Sequence, residues 1–446
     1  MGTGLFEFIA QGCQSLAATA APSITAMGVH IVLALATRVF EAARRLFLVV
    51  SVPYQNLADQ WVEEARNFGM DAIPCYAGTQ RWKADLEQYV HLFEMKAIPF
   101  VCAVVVNRTL QGTEFQSCLS RIDGNSLMFV GDECHHHRTS RLNTALPLHA
   151  AYRLGLSATP DPYYEIPGSS DPLTDYYGQV CYRYDLKRAL DDGILTPYDY
   201  FVELVDMTSP EAEEYEEISQ QISRLAVIGG GDTDESDDPR VKTLLFRRSR
   251  LIGAAANKLV VLSDLLKEQQ PEPLTLFYCG DGSVEEQATG EILRQVEAVS
   301  STLYGHGWKT SLFTADESRE MRQRILDNFK IGQIDAMVAI RCLDEGIDVP
   351  ACRTAYLLAS SRNPRQFIQR RGRILRKSPG KERAVIYDLI VHLPENTCSK
   401  VEYERKLFAG ELKRVAEFAR LSRNPDYSYR KIEPLLKKFD LEHHFV

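Results

Sequence analysis

Short apolar runs alternate with stretches of helical spacing along most of the chain. Leu46-Phe47-Leu48-Val49-Val50 is a run of strand formers. From Gln55 to Phe68 the spacing becomes helical, with Leu57, Trp61, Ala65 and Phe68 on one face. Val101 to Val106 and Ser126 to Val130 read as further strands. The second half has the same grammar. Leu274 to Cys279, Ala336 to Ile340, Thr354 to Leu358 and Ala384 to Leu389 read as strands, and Glu285 to Ser300 and Ser318 to Phe329 as helices. Strand-helix alternation predicts an α/β architecture with parallel sheets, and continuous apolar runs fit strands covered on both faces. No short tandem repeat is visible, so the halves read as two sheets of similar class.

Between the halves the pattern breaks. Ser209 to Arg240 begins as an acidic helix-like stretch, Glu211 to Leu225, and passes into Gly229-Gly230-Gly231-Asp232 and the acidic run up to Asp238. That composition reads as a flexible, self-repelling loop in a solvated surface insertion. A domain boundary is expected slightly earlier, at Asp191-Asp192-Gly193, where Gly193 suits a left-handed helix cap. The expected division is residues 1–193, residues 194–398 with the insertion at about 209–240, and a helical tail over 399–446.

Composition narrows the class. The chain has 446 residues, and at roughly 150 residues per domain two or three domains are expected. Apolar residues make up 45% and charged residues 25%, which excludes a disordered, collagenous or disulfide-scaffold chain. No two of the ten cysteines form a C-x-x-C pair, so they read as reduced, mostly buried thiols of a cytoplasmic protein. No signal peptide is evident at Met1. Ile31 to Phe40 is apolar, but Arg38, Arg44 and Arg45 cut it short of the roughly 20 residues a membrane span needs, so a buried helix is expected. The net charge is -9, so contact with a polyanion must come from a local basic stripe.

Such a stripe exists. Arg362 to Arg383 holds nine basic residues against the single acid Glu382. Arg373 and Arg376 would share one face of a helix, and guanidinium forks suit phosphate oxygens. In the first half, the apolar run Leu127 to Val130 leads through Gly131 into the adjacent acids Asp132 and Glu133. At a strand end their side chains point to opposite sides and can do different jobs, one toward a metal ion and one toward an attacking water. A strand closing in a polar turn has the same look, and the pair alone favours that plainer reading.

The surrounding residues change the balance. Asp132-Glu133-Cys134-His135 resembles the DExH box of superfamily 2 helicases, and Ser157-Ala158-Thr159 resembles their motif III. Leu343-Asp344-Glu345-Gly346-Ile347-Asp348 resembles motif V, and Gln369-Arg370-Arg371-Gly372-Arg373 with Arg376 resembles motif VI. Leu276 to Cys279 sits where motif IV belongs, and Val52-Pro53-Tyr54 with Leu57 and Gln60-Trp61 resembles motif Ia. The resemblance runs from about residue 45 to about residue 395. It is nearest to the type III restriction Res-subunit and XPB-like branch, of which Tyr176-Tyr177-Gly178 through Leu195-Thr196-Pro197-Tyr198 is typical.

The resemblance implies two tandem RecA-like α/β domains with parallel sheets, ATP and Mg²⁺ in the cleft between them, and duplex DNA across the top. It implies an ATP-dependent DNA helicase or translocase of restriction or repair type, working within such a complex. Asp132 would hold Mg²⁺ through water and Glu133 would be the general base. His135, Ser157, Thr159, Gly346, Asp348 and Gln369 would bind nucleotide or couple the domains. Arg373 and Arg376 would act as fingers, and Pro53, Tyr54, Gln60 and Arg362 would contact DNA. His135-His136-His137 beside Cys134 is not read as a zinc site, because consecutive residues cannot all face one ion. Trp61, Trp82 and Trp308 are expected in the core rather than stacked on bases. No nuclease pattern is found.

One motif is missing. The family carries a phosphate loop, G-x-x-x-x-G-K-[ST], ahead of motif Ia. Here the first lysine is Lys83. Gly2-Thr3-Gly4 and Ala26-Met27-Gly28-Val29-His30 are the candidate loops, and both lack the lysine. A truncated or frame-damaged enzyme, or a non-hydrolysing DNA-binding or scaffold subunit, is the alternative this leaves open.

Overall fold

The computed structural model describes residues 24–160, 170–229, 238–285, 292–314, 316–340, 352–359, 372, 374–394 and 401–442, apart from the side chains of 24–27, 226–229, 285, 319, 401–403, 406 and 413. The chain divides into two compact units between Ile194 and Leu195.

The first unit is built from α1 (Ile24–Ala43), β1 (Leu46–Val52), α2 (Gln55–Asn67), β2 (Ala72–Cys75), α3 (Thr79–Glu94), β3 (Phe100–Val106), β4 (Leu127–Gly131) and β5 (Tyr152–Gly155), with short helical turns between. The five strands form one parallel sheet in the order β2-β3-β1-β4-β5. Alternate side chains of a strand face opposite sides. Phe47, Val49, Ala103 and Phe129 therefore pack with Trp82, Leu86 and Phe93 on one side. Leu48, Val50, Val104 and Val130 pack on the other side with Val32, Ala36 and Trp61. A sheet buried on both faces needs uninterrupted apolar runs, which explains the pattern read from the sequence.

Two sequence expectations change here. The candidate loop Ala26 to His30 lies inside α1, which begins at Ile24 rather than near Ile31. The candidate loop is therefore the opening of that helix rather than a loop before it; Gly2-Thr3-Gly4 lies outside the described residues. Gly193 does take the left-handed conformation, φ +66°, just past the helical turn Leu186–Asp191.

The second unit contains β6 (Tyr198–Asp206), α4 (Ser209–Gly229), α5 (Pro239–Gly253), α6 (Asn257–Lys267), β7 (Thr275–Cys279), β8 (Ser283–Glu285), β9 (Ile292–Arg294), α7 (Gln295–Gly305), β10 (Thr310–Phe313), α8 (Arg319–Lys330), β11 (Ala336–Ile340), β12 (Thr354–Leu357), β13 (Ala384–His392), α9 (Val401–Arg420) and α10 (Pro425–Phe439). Six strands form a parallel sheet in the order β10-β11-β7-β12-β13-β6. Phe277, Tyr356 and Tyr387 stack in register across β7, β12 and β13, with centroids 4.5 and 4.8 Å apart. Ser318 caps α8, its hydroxyl accepting from the Met321 N–H at 3.2 Å.

The helix expected over Glu285 to Ser300 is shorter at its start. Residues 283–285 and 292–294 form an antiparallel ribbon, and α7 starts at Gln295, where the Glu297 carboxylate accepts the Arg294 N–H. The acidic stretch after Ser209 is likewise more than a solvated insertion. Ile218 and Ile222 of α4 pack on Val241 of α5 with Leu244 and Leu245, so α4 and α5 make a helical pair. The glycine-rich run Gly230 to Asp237 lies outside the described residues.

The tail helices belong to the second unit's core, where Leu407, Phe418, Ile432 and Leu436 are buried. They are tied in by a buried polar cluster. Asp388 on β13 accepts from Arg414 Nε and Nη2, both at 3.0 Å, and from the Tyr200 hydroxyl at 2.8 Å. Arg414 Nη1 reaches Glu411 at 2.8 Å. Burial pushes the Asp388 carboxyl up, and the Arg414 charge works against that shift. No described helix is long and apolar enough to cross a membrane.

Removing one member of a buried charge set strands the others. Arg414→Ala should destabilise the second unit by about 3 to 5 kcal/mol, and Tyr200→Phe by only about 1 kcal/mol. Urea denaturation followed by far-ultraviolet circular dichroism checks both; equal, small losses would sink the ranking.

Candidate functional site

Parallel α/β sheets bind ligands beyond the carboxyl ends of their strands. In the first unit β1, β3, β4 and β5 end together: Ser51 pairs with Gly131, Val52 with Val106, and Gly131 with Gly155. The two acids emerge at this edge. The ladder continues one residue further, the Asp132 N–H donating to Ser51 O at 2.8 Å. Gly131 is required by close approach, since a Cβ there would lie 2.2 Å from the Tyr177 hydroxyl.

Asp132 is 8% exposed. Its Oδ2 accepts from the Trp61 indole N–H at 2.7 Å and its Oδ1 from the Glu133 N–H at 2.9 Å. Burial, and then the Glu133 charge, push its carboxyl up to about 7, against the pull of those two donors. A buried carboxylate held so near neutrality gains strongly from a cation. Each of its oxygens retains a second lone pair for one. Among the described residues no group of three or more His, Cys, Asp or Glu could cage a metal. A buried carboxylate with lone pairs to spare fits an ion such as Mg²⁺, which keeps its waters and takes one or two carboxylates together with substrate phosphates.

Glu133 sits in the left-handed region, φ 48° and ψ 46°, a costly conformation for a side chain of this kind. Glu133 Oε2 lies 3.3 Å from His135 Nδ1, and the same nitrogen lies 3.2 Å from Ser157 Oγ. Ser157 Oγ also accepts the Thr159 N–H at 3.0 Å. Two backbone bonds lock the segments together: Cys134 N–H to Leu156 O at 2.9 Å, and Leu156 N–H to Gly131 O at 2.8 Å. The structure thus brings together Asp132, Glu133, His135, Ser157 and Thr159.

The motif Ia residues follow β1 at the same strand end. Pro53, Tyr54 and Gln60 are partly exposed, and the Tyr54 ring meets His136 edge-on at 5.9 Å. In the second unit Arg376 is not helical. It forms an isolated bridge with Leu195, and its carbonyl accepts from Thr196 Oγ1 at 3.3 Å and Lys381 Nζ at 3.0 Å. Arg362, Gln369, Arg373, Gly346 and Asp348 lie outside the described residues. Lys83, the first lysine, is exposed on α3 and pairs with Glu114 at 3.2 Å. Trp82 and Trp308 are buried in the two cores.

Several site residues carry no signal in the motifs. Trp61 reads as core from its spacing, and its indole N–H is nevertheless the tether of Asp132. Behind the acids runs a buried chain: Ser51 Oγ donates to Asn107 Oδ1 at 2.7 Å, His137 Nε2 lies 3.3 Å from that oxygen, and His137 Nδ1 lies 2.7 Å from the Tyr177 hydroxyl. Arg138 grips Asp171 through Nε at 2.8 Å and Nη2 at 3.1 Å, and also holds Pro160 O, which fixes the segment leaving Thr159. The hint in the sequence is that Asn107 is a polar residue directly after an apolar strand.

His137 is fully buried, and that burial, followed by the neighbouring His136 and His135, pushes it down to about 4. An unfolded histidine titrates near about 6.5. Between these values the unfolded chain binds the proton and the folded one does not. The stability held by neutral His137 is therefore full above about pH 6.5 and is lost as pH falls toward about 4, by at most about 3 kcal/mol. His137→Gln should flatten this part of the pH profile in urea denaturation; an unchanged profile would refute it.

Comparison with known proteins follows the same division. Residues 25–162 match the family model "Type III restriction enzyme, res subunit", and residues 257–378 match "Helicase conserved C-terminal domain". The "DNA 3'-5' translocase XPB2" of Sulfurisphaera tokodaii is 24% identical over 265 residues, covering 56% of this chain and 56% of that protein. "Putative helicase 22" of Sulfolobus islandicus filamentous virus is 23% identical over 276 residues, covering 61% of this chain and 44% of that protein. The chain thus spans about half the length of these curated relatives. The solved structure "ATP-dependent Type ISP restriction-modification enzyme LlaBIII bound to DNA" superposes with a TM-score of 0.58 at 16% identity, covering 97% of this chain and 32% of that one. That likeness shows the fold, two tandem RecA-like α/β domains. With one family model falling on each unit, and the Asp132-Glu133 turn built as described, the chain belongs to the superfamily 2 helicases, in the branch of the type III restriction Res subunit and XPB.

Proposed function

We propose that the chain is the motor part of an ATP-dependent DNA helicase or translocase of restriction or repair type, acting on duplex DNA within the cytoplasm as part of a larger complex. The observation that carries this reading is the pair of adjacent carboxylates at one strand end, held in different environments. Asp132 is buried and tethered, which suits a metal-bound role; Glu133 is turned aside beside His135, which suits proton transfer.

Mg²⁺ bound there would neutralise phosphate charge and orient the terminal phosphate. Asp132, held by Trp61, would take that ion through water. Glu133 would accept the proton of the attacking water, in keeping with general-base catalysis at a preorganised carboxylate. His135 contacts both Glu133 and Ser157, so a change at the base would be felt at Ser157 and Thr159. Arg373 and Arg376 would stabilise developing phosphate charge, with Gln369, Gly346 and Asp348 contacting nucleotide or coupling the units. Pro53, Tyr54, Gln60 and Arg362 would contact DNA, mainly at phosphates, so binding would weaken with salt.

The chain departs from the family at the phosphate loop. Of the described residues none offers a glycine-rich loop with a lysine, and Lys83 is engaged with Glu114. Loss of that charge lowers turnover, so the rate is expected to be slow and strongly dependent on DNA. Steady-state ATPase measured with and without duplex DNA tests the reading. DNA should stimulate turnover, and Glu133→Gln should lower it by about 100-fold or more. Turnover equal to that of Glu133→Gln would sink the motor reading and leave a DNA-binding or scaffold subunit.

A further inference from the structure

The helix α5 presents a face that the motor chemistry does not use. Its apolar residues Val241, Leu244, Leu245 and Leu251 turn toward α4. The opposite half carries Arg240, Lys242, Phe246, Arg247 and Arg250, all exposed, with the small exposed hydroxyl residues Thr243 and Ser249 between them. No acid lies anywhere from Pro239 to Gly253. Phe246 is 61% exposed, near the middle of this face. Lys242 and Arg250 stand four positions before and after it, so at helical spacing the three share one stripe.

The arginines have carboxylate partners. Arg240 meets Asp238 at 2.7 Å, Arg247 meets Glu214 at 2.6 Å, and Arg250 meets Asp281 at 3.0 Å. The arginine side chains are 72%, 57% and 62% exposed, and pairs this open to water are weakly held and salt-screened. A string of phosphates can displace them, because each fork would exchange one oxygen partner for another. What the pairs do not explain is the phenyl ring. An aromatic ring exposed between cations is the combination by which single strands are held: bases stack on the ring while the backbone tracks the positive charges. A paired base in a duplex has no free face to offer.

We infer that the exposed face of α5 binds single-stranded DNA, with Phe246 as the stacking platform and Lys242, Arg247 and Arg250 as the phosphate contacts. The inference rests on the DNA-motor reading for its occupant, and the strand displaced from a duplex is the form of DNA whose bases are free to stack.

The test is fluorescence anisotropy of the whole chain with a labelled oligothymidine of about 20 nucleotides and, separately, with a duplex of the same length, over a range of salt. Phe246→Ala should weaken binding to the single strand by about 5-fold or more and leave duplex binding unchanged. Joint replacement of Lys242, Arg247 and Arg250 by Gln should lower the salt slope for the single strand by about 2. Circular dichroism melting, expected to be unchanged for these exposed positions, confirms that the variants fold. Unaltered affinity in both variants would overturn the assignment. So would an equal loss on duplex and single strand for Phe246→Ala, no single-strand binding by the unaltered chain, or displacement by polyglutamate as effective as by DNA, which would point to an acidic peptide. The Glu133→Gln ATPase comparison is separate, so failure of the motor reading is seen without touching these binding outcomes, and the reverse.

Discussion

The burial of one carboxylate governs the first unit. Asp132 stands at the end of a strand covered on both faces, where an ionised group is costly unless it is hydrogen-bonded. Two hydrogen bonds answer that cost: the indole of Trp61 donates to one oxygen and the next backbone N–H donates to the other. Glu133 itself is left-handed, and its carboxylate lies beside His135. Two acids adjacent in sequence acquire different surroundings because only one of them is accommodated inside.

The second unit meets a similar problem differently. Asp388 is buried at the middle of β13, but there its partners are permanent: Arg414 from α9, Tyr200 from β6 and, through Arg414, Glu411. A carboxylate completed by protein groups cannot serve a ligand, and it fastens the last two helices to the sheet instead. The contrast between Asp132 and Asp388 separates a site from a fastening: the first keeps lone pairs for something else, and the second spends them on its own chain.

Much of this was legible in the sequence. The parallel sheets follow from apolar runs such as Leu46 to Val50, since period-two alternation vanishes when both faces are covered. The Asp132-Glu133 and Ser157-Thr159 segments were found because order and spacing along the chain survive folding. What was hidden is mostly a matter of partners distant in sequence. Trp61 lies 71 positions from Asp132 and Asn107 lies 30 from His137, so no local pattern announces either contact. Local reading also failed where tertiary packing overrode composition. The stretch after Ser209 is acidic enough to look solvated, yet Ile218 and Ile222 fall on one face and fold it against α5. Arg376, three residues after Arg373, looks helical, but Thr196 and Lys381 capture its carbonyl and pull it into a bridge.

The position of Trp61 gives α2 an additional property. Tyr54, just before its first turn, is among the residues proposed to contact DNA, and Trp61, two turns on, is tied to Asp132. Two turns of helix are stiff, so Tyr54 and Trp61 move as one body. A hydrogen bond of 2.7 Å weakens when stretched by a few tenths of an ångström. A small tilt imposed at Tyr54 would therefore change how firmly the carboxylate is held, through Trp61 at the middle of the helix. Mechanical load on the track would in this way be written into the electrostatics of the strand end.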